Sequence, residues 1–245
     1  MSILPVIVPS WVIPGSPAVN AAFLRGRAQG IMLCSFEHAP LLPVELPASS
    51  FDLCWHIHLP VDLPWKQDGA TAGAAACRIM AGAAHLLCAS SRVILHQPPQ
   101  PSFLTGFLRV WNEAGLDNST LLLENLPDLT PDSAKKSAEK IISASHGLRL
   151  CLDVAHLALS RSPALTEQAV EALARQTDMI HWSAPGSTGK DAHAPLTALD
   201  ASLRKLYGYI AKSMPDALDV IEVFDWEGVS ASWDLLRSWR RGGTK

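Results

Sequence analysis

The feature that most limits what this chain can fold into is an alternation. Short aliphatic, β-branched runs recur at residues 3–8, 31–36, 54–59, 92–95, 121–123, 148–152, 179–182 and 219–224. Helical stretches separate them, among them residues 69–89, 133–145, 166–176 and 195–214, with Asp132 and Ser133 as capping residues at one start. Strands that alternate with helices pair in parallel through right-handed crossovers, which leaves an open doubly wound sheet or a closed (β/α)8 barrel. Eight repeats in 245 residues favour the barrel, which normally takes about 250 residues. No G-x-G-x-x-G and no G-x-x-x-x-G-K-[ST] follows the first run, so the usual reason to prefer the open nucleotide-binding sheet is missing. The expectation is one α/β TIM-barrel domain over residues 1–245, with strand then loop over residues 1–24 and a short or missing helix around residues 39–50.

Composition narrows the partners. With 48% apolar residues the chain can bury a core and is not disordered. Lys and Arg total 20 against 23 Asp and Glu, a net charge of −3, so the basic surplus that neutralises nucleic-acid phosphates is absent and no nucleic-acid partner is expected. Arg25 is the first charged residue, yet residues 1–24 are no export signal: a basic start is lacking and Pro5, Pro9, Pro14 and Pro17 break any helix. The apolar stretch 69–89 is interrupted by Arg78 and His85, so no membrane span is expected. Cys34, Cys54, Cys77, Cys88 and Cys151 are odd in number, widely spaced and mostly within apolar runs, which reads as buried structural thiols in a reducing, cytoplasmic compartment.

The metal-ligating residue types fall at the ends of the runs. His56 and His58 close the third, His96 the fourth, Glu124 the fifth, Asp153 the sixth, His181 the seventh and Glu222 the eighth. In a (β/α)8 barrel the C-terminal strand ends carry the active site. His156 follows Asp153 by three residues, and Asp191 and His193 lie in the loop after His181. A single His at a strand end is most often a satisfied polar group at the core edge. Independent core histidines, however, have no reason to coincide with carboxylates at the remaining ends, and that coincidence points to a shared metal site. His38, His85 and His146 lack such company and read as surface or helix-packing residues. Of the two histidines on the third run, His58 is ranked as the ligand because it lies nearer the end.

Zinc is satisfied by about four ligands. The set His58, His96, Glu124, Asp153, His156, His181, Asp191, His193 and Glu222 therefore implies two or three ions, and its nitrogen and oxygen donors suit Zn, with Mn or Fe as alternatives. Two ions about 3.5–4 Å apart stabilise both the entering and the leaving oxygen of a displacement at phosphorus. The chemistry indicated is phosphodiester hydrolysis, with Glu124, Asp153, His181 and Glu222 as its catalytic core.

The set His58-x-Pro60, His96-x-Pro98, Glu124-Asn125, Asp153-x-x-His156, His181, Asp191-x-His193 and Glu222 resembles the endonuclease IV group of the xylose isomerase-like barrels, in order and in strand placement, over nearly the whole chain. The resemblance implies three zinc ions: one on His58, His96 and a bridging Glu124, a second on Glu124, Asp153, His181 and Glu222, a third on His156, Asp191 and His193. Sugar isomerases and epimerases of the same superfamily use a similar Glu, Asp, His, Glu quartet around one ion. His58, His96 and the Asp191-x-His193 pair separate the two readings, because a one-ion isomerase has no need of them.

Arg and Lys are sparse in the strand-end loops, where Lys66 and Lys190 stand nearly alone, so a small phosphate-containing substrate suits the surface better than a duplex does. Several segments look like those of the cobamide-remodelling phosphodiesterases within this group. They are the opening Pro9-Ser10-Trp11-Val12-Ile13-Pro14-Gly15, the pair Phe36-Glu37, and His56 to Trp65. Leu95-His96 and Glu222-Val223-Phe224-Asp225-Trp226 complete the match. That resemblance implies cleavage of the phosphoester in the nucleotide loop of cobamides such as coenzyme B12. Trp11, Glu37, His56, Trp65, Trp182, Lys190 and Trp226 are then the expected substrate-binding residues, and Trp55 shares their neighbourhood, flat aromatic faces suiting a corrin or benzimidazole ring. The other readings are a sugar isomerase or epimerase, an endonuclease acting on nucleic acid, and a corrinoid carrier that has kept the barrel without turnover.

Overall fold

The eight aliphatic runs form eight parallel strands: β1 (Leu4–Pro9), β2 (Ala28–Cys34), β3 (Cys54–His58), β4 (Val93–His96), β5 (Leu121–Glu124), β6 (Arg149–Asp153), β7 (Thr177–Trp182) and β8 (Leu218–Ile221). They pair in sequence order and close into a barrel, with the Ile7–Val220 pairing joining the last strand to the first. This computed structural model describes residues 3–34, 46–66, 68–127, 134–159, 166–186 and 192–242. Residues 39–45, Asp132 and Ser133 lie outside the described residues, as do Phe36, Glu37, His38, Lys190 and Asp191.

The helices are α1 (Pro17–Leu24), α2 (Ala70–Ala83), α3 (Phe103–Glu113), α4 (Ala134–Ala144), α5 (Val154–Leu159), α6 (Glu167–Ala174), α7 (Ala201–Ser213) and α8 (Trp226–Arg240). The first corrects the expectation of a loop before Arg25. Prolines do break a helix interior, but Pro17 sits at the first helical turn, where its missing N–H costs nothing, and Ser16 caps the Val19 N–H. Residues 195–214 divide into a 3-10 turn (Leu196–Ala198) and α7, because Asp200 accepts from the Leu203 N–H and starts a new helix. Helix α3 lies so close to the turn that leads into α2 that a Cβ on Gly106 would lie 1.5 Å from the Asp68 carbonyl oxygen, so that position admits only glycine. Among the described residues no helix is long and apolar enough to cross a membrane.

Alternation along each strand sorts the core in two. Outward residues such as Leu33, Trp55, Ile57, Leu95, Leu123, Leu152, Ile180 and Trp182 join the helices in one continuous apolar layer. Inward residues Ile7, Met32, Cys34, Ile94, Leu122, Cys151, Met179 and Val220 fill the barrel. Directly above that plug, at the C-terminal mouth, the inward positions turn polar.

Candidate metal centre

Strand register brings the polar ends together. His96 pairs across from Glu124, and Asp153 from His181. The ladder continues one residue past β8, where the Glu222 N–H donates to the Trp182 carbonyl at 3.0 Å. Each inward residue of this layer stands two positions beyond an apolar plug residue: His96 above Ile94, Glu124 above Leu122, Asp153 above Cys151, His181 above Met179 and Glu222 above Val220.

Glu124 is the hub. Its Oε2 lies 3.0 Å from His58 Nε2, 3.3 Å from His96 Nε2 and 3.6 Å from His181 Nδ1, and its Oε1 lies 3.7 Å from His156 Nδ1. Glu222 Oε2 approaches His181 Nδ1 at 3.1 Å and His193 Nδ1 at 3.7 Å. Donor atoms of Glu124, Asp153, His181 and Glu222 all lie within 4.8 Å of one another, as do those of His58, His96 and Glu124.

Tautomers are set from behind. His58 Nδ1 lies 2.9 Å from the Leu59 carbonyl oxygen and donates to it, which turns the Nε2 lone pair toward Glu124. His156 Nδ1 likewise donates to the Asn125 carbonyl at 2.7 Å, leaving its Nε2 as an acceptor. Asn125 braces the neighbouring strand end by exchanging two bonds with the Asp153 backbone, at 3.1 and 2.8 Å. Asp153 caps α5 by accepting the His156 N–H on Oδ1 at 2.7 Å, and its Oδ2 is left for the centre.

Electrostatics follow from three carboxylates, Glu124, Asp153 and Glu222, held out of water. Burial pushes the Asp153 carboxyl up to about 7. Burial acts the same way on Glu124 and Glu222, but the facing imidazoles outweigh it and hold both below the usual carboxylate range. Burial lowers the basicity of His58, yet the Glu124 carboxylate reverses the shift and raises it.

Both ring nitrogens of His181, Asp153 Oδ2 and Glu222 Oε2 are buried and make no hydrogen bond. Each buried polar atom left so costs about 1–3 kcal/mol. One donor atom each from Glu124, Asp153, His181 and Glu222 lies within 4.8 Å of the others, an arrangement that a divalent cation would satisfy. The donors fit such ions in type and number.

Of the expected ligands, the structure brings together His58, His96, Glu124, Asp153, His156, His181, His193 and Glu222; Asp191 lies outside the described residues. His193 adopts the left-handed region at φ 43°, unusual for a residue with a side chain, and rests edge-on against Phe224 with ring centres 5.0 Å apart. Two participants go beyond the sequence reading. Cys151, structural by its apolar sequence context, places its sulfur among the donor atoms of Glu124 and His181, although burial pushes its thiol up to about 12. Asn125 is visible in the sequence only as part of a motif. Period-two spacing from Asp153 could have found Cys151, whereas nothing local announces the brace.

The substrate-binding expectations fare unevenly. Trp11 follows β1, is 39% exposed and donates its indole N–H to the Cys34 carbonyl at the C-terminal mouth. Trp65 is half-buried, its ring centre 5.6 Å from that of Phe107, and Trp226 lies edge-on to Phe23 at 5.4 Å. Two assignments are corrected. Trp182 is fully buried between barrel and helices beside Tyr207 and Trp239, with its indole N–H on Asp219, because a residue next to inward His181 must point outward. His56 points inward like His58 but one layer lower, and with Cys54 and Arg92 it lines a cavity of about 790 Å³ at the opposite, N-terminal mouth. Trp55, too, is buried, its indole N–H on the Ser50 carbonyl. Glu37 and Lys190 lie outside the described residues.

No protein-family model and no curated protein matches this chain. Solved structures do. A D-tagatose 3-epimerase-like protein superposes with a TM-score of 0.67 at 14% identity, over 97% of both chains. Endonuclease IV from Thermus thermophilus gives 0.65 at 18% identity, over 98% of this chain and 100% of the other. The probable 3-DHS dehydratase AsbF of Bacillus anthracis gives 0.61 at 14% identity, over 96% and 98%. At such identities the likeness is one of fold, the closed (β/α)8 barrel.

Proposed function

We propose that the protein is a metal-dependent phosphodiesterase that hydrolyses the phosphoester in the nucleotide loop of cobamides, with zinc as the resident metal and a small-molecule corrinoid rather than nucleic acid as its partner. The observation that carries the reading is the position of Glu124. Its Oε2 lies within 3.6 Å of nitrogens of His58, His96 and His181, and Glu124 belongs both to the His58, His96 group and to the Asp153, His181, Glu222 group, which supports a ligand shared between two ions. The ions would polarise the phosphate and lower the pKa of the attacking water. The chain's own residues do the rest. Leu59 and Asn125 fix the His58 and His156 rings by accepting their Nδ1 protons. Asp153 ties the site to the fold, its Oδ1 accepting the His156 N–H while Oδ2 is left for the centre. His193, at the solvent edge of the cluster, is one of the residues expected at the third position.

The rim supports a corrinoid. Exposed Trp11, Val61 and Leu126 come shortly after β1, β3 and β5, so apolar surface borders the polar centre on the same mouth. A substrate with a broad flat apolar body and one phosphate matches that layout, whereas a duplex would require cations, of which Lys66 is the example among the described strand-end loops. A second reading draws on one specific observation: Glu124, Asp153, His181 and Glu222 could by themselves hold a single ion, the arrangement a sugar epimerase or isomerase would use.

The test is mass spectrometry of coenzyme B12 after incubation with metal-loaded protein, beside E124Q and with metal content measured on the same sample. A cobinamide-type product that E124Q does not form supports the proposal. Intact coenzyme from protein carrying two or more ions overturns it. One ion per chain with aldose–ketose interconversion selects the sugar isomerase reading, and cleavage of abasic DNA selects the endonuclease.

A further inference from the structure

The N-terminal mouth of the barrel holds a second reactive cluster, unrelated to metal chemistry. Cys54 opens β3, and Cys88 lies in the irregular segment that leads into β4. Their sulfurs are 3.7 Å apart, and the Ser90 hydroxyl sits against both, 3.3 Å from Cys54 and 3.1 Å from Cys88. The Ser91 hydroxyl donates to the Cys88 sulfur at 3.6 Å. The two thiols differ: Cys88 is exposed and Cys54 is partly covered.

We propose that Cys54 and Cys88 are a redox-active dithiol, with Cys88 as the thiol that peroxide oxidises first and Cys54 as the one that resolves it into a disulfide. The Cys88 thiolate attacks one peroxide oxygen. The O–O bond breaks, an S–O bond forms, and the departing hydroxide takes a proton to leave as water. Cys54 sulfur then attacks the resulting sulfenic acid, an S–S bond replaces the S–O bond, and the second oxygen leaves as water with the Cys54 proton. Two thiols are oxidised to one disulfide while hydrogen peroxide is reduced to two waters.

Geometry and chemistry agree on the division of labour. A disulfide needs its sulfurs about 2.05 Å apart, so the pair must close by roughly 1.7 Å. Cys88 can supply that movement because it lies in neither helix nor strand, while Cys54 is held in the barrel. Hydrogen bonding from Ser90 holds the Cys88 thiol down at about 7, whereas burial pushes the Cys54 thiol up. An exposed nucleophile beside a more shielded partner is the asymmetry that such a pair requires. Cys77 provides an internal control: it is half-buried, burial raises its thiol, and its sulfur contacts the Val110 carbonyl. The bridge would tie together the starts of β3 and β4, the two strands whose far ends present His58 and His96.

The experiment treats the full, metal-loaded chain with one equivalent of hydrogen peroxide, blocks the remaining thiols and maps peptides without reduction. The expected result is one Cys54–Cys88 linked peptide that dithiothreitol reverses. C54S should stop at a sulfenic acid on Cys88, captured by dimedone, and C88S should leave Cys54 unoxidised. In the untreated protein at pH 7, iodoacetamide should modify Cys88 about fivefold or more faster than Cys77. A wild-type map without the linked peptide overturns the proposal, and so does equal alkylation of Cys88 and Cys77. Circular dichroism of both variants establishes that they remain folded.

Discussion

Strand β3 carries two inward histidines two residues apart, and they are electrostatic opposites. His58, at the C-terminal mouth, faces Glu124, and although burial works against it the carboxylate raises its affinity for a proton. His56, one layer below, is buried without a carboxylate, and burial together with the nearby Arg92 charge lowers it to about 4. Its Nδ1 accepts the Arg92 backbone N–H at 3.1 Å, so the ring is neutral with its proton on Nε2. Gly30 on the adjoining strand lets β2 run close to β3 below this ring, since a Cβ there would lie 2.8 Å from the Cys54 carbonyl oxygen. The same residue on the same strand face thus meets a carboxylate at one mouth and a backbone N–H at the other. What differs is the company each layer keeps.

The sharpest way to break this comparison is at its hub. Glu124→Gln keeps the shape of the side chain and removes the charge that His58, His96 and His181 share, and activity should fall about a thousandfold, the equivalent of several kcal/mol. Metal analysis of the same sample should show the loss of bound ion. Next comes the paired test on β3. His58→Ala should lower the metal content and with it the turnover, whereas His56→Asn, which offers an oxygen to the Arg92 N–H, should leave the metal content at the wild-type level. Equal loss from both would erase the distinction between the layers.

Acid titration sharpens the contrast further. The His56 ring takes up a proton near pH 6.5 once unfolded but only near 4 in the fold. Between those values the unfolded state binds more protons. The stabilisation is therefore complete above about pH 6.5 and fades as the pH falls toward 4, by about 3 kcal/mol in all. Denaturant melts of wild type and His56→Asn at pH 7 and pH 4.5 should differ in slope by an effect of that order. Asn125→Ala should weaken metal binding roughly 10–100-fold, the usual size for a supporting group behind a ligand, as read by competition with a chelator. Trp182→Phe should cost only about 1 kcal/mol in a thermal melt, the value of one buried hydrogen bond, and leave metal content unchanged.

Much of this architecture could be read from the sequence because it depends on period and position. Eight aliphatic runs, the third to the eighth closed by His, Glu or Asp, placed the strands within a few residues and put the candidate ligands on one mouth. Period two also contained the answer for Trp182, whose neighbour His181 points inward, yet its aromatic character suggested a substrate contact. His56 was harder. It shares the inward face with His58, and only depth within the barrel separates them, which depends on how the strands tilt and stagger. The start of α1 carried a legible signal in Ser16 and Pro17, hidden by the general rule that prolines disrupt helices. The approach of Cys54 to Cys88 spans 34 residues and is set by the packing of two strand starts, so no local pattern could announce it. Counting cysteines gave five free thiols without showing that two of them meet.

The register that joins His96 to Glu124 and Asp153 to His181 also orders events during synthesis. His58, His96 and Glu124 all emerge within the first 124 residues, while His181 and Glu222 follow only when β7 and β8 are made. A growing chain therefore presents one half of the centre long before the other, and the Ile7–Val220 seam, which couples the two ends of the chain, must close to complete it. A divalent ion held by both halves would bind tightly only to the finished barrel, and its affinity would report that the last strand has docked.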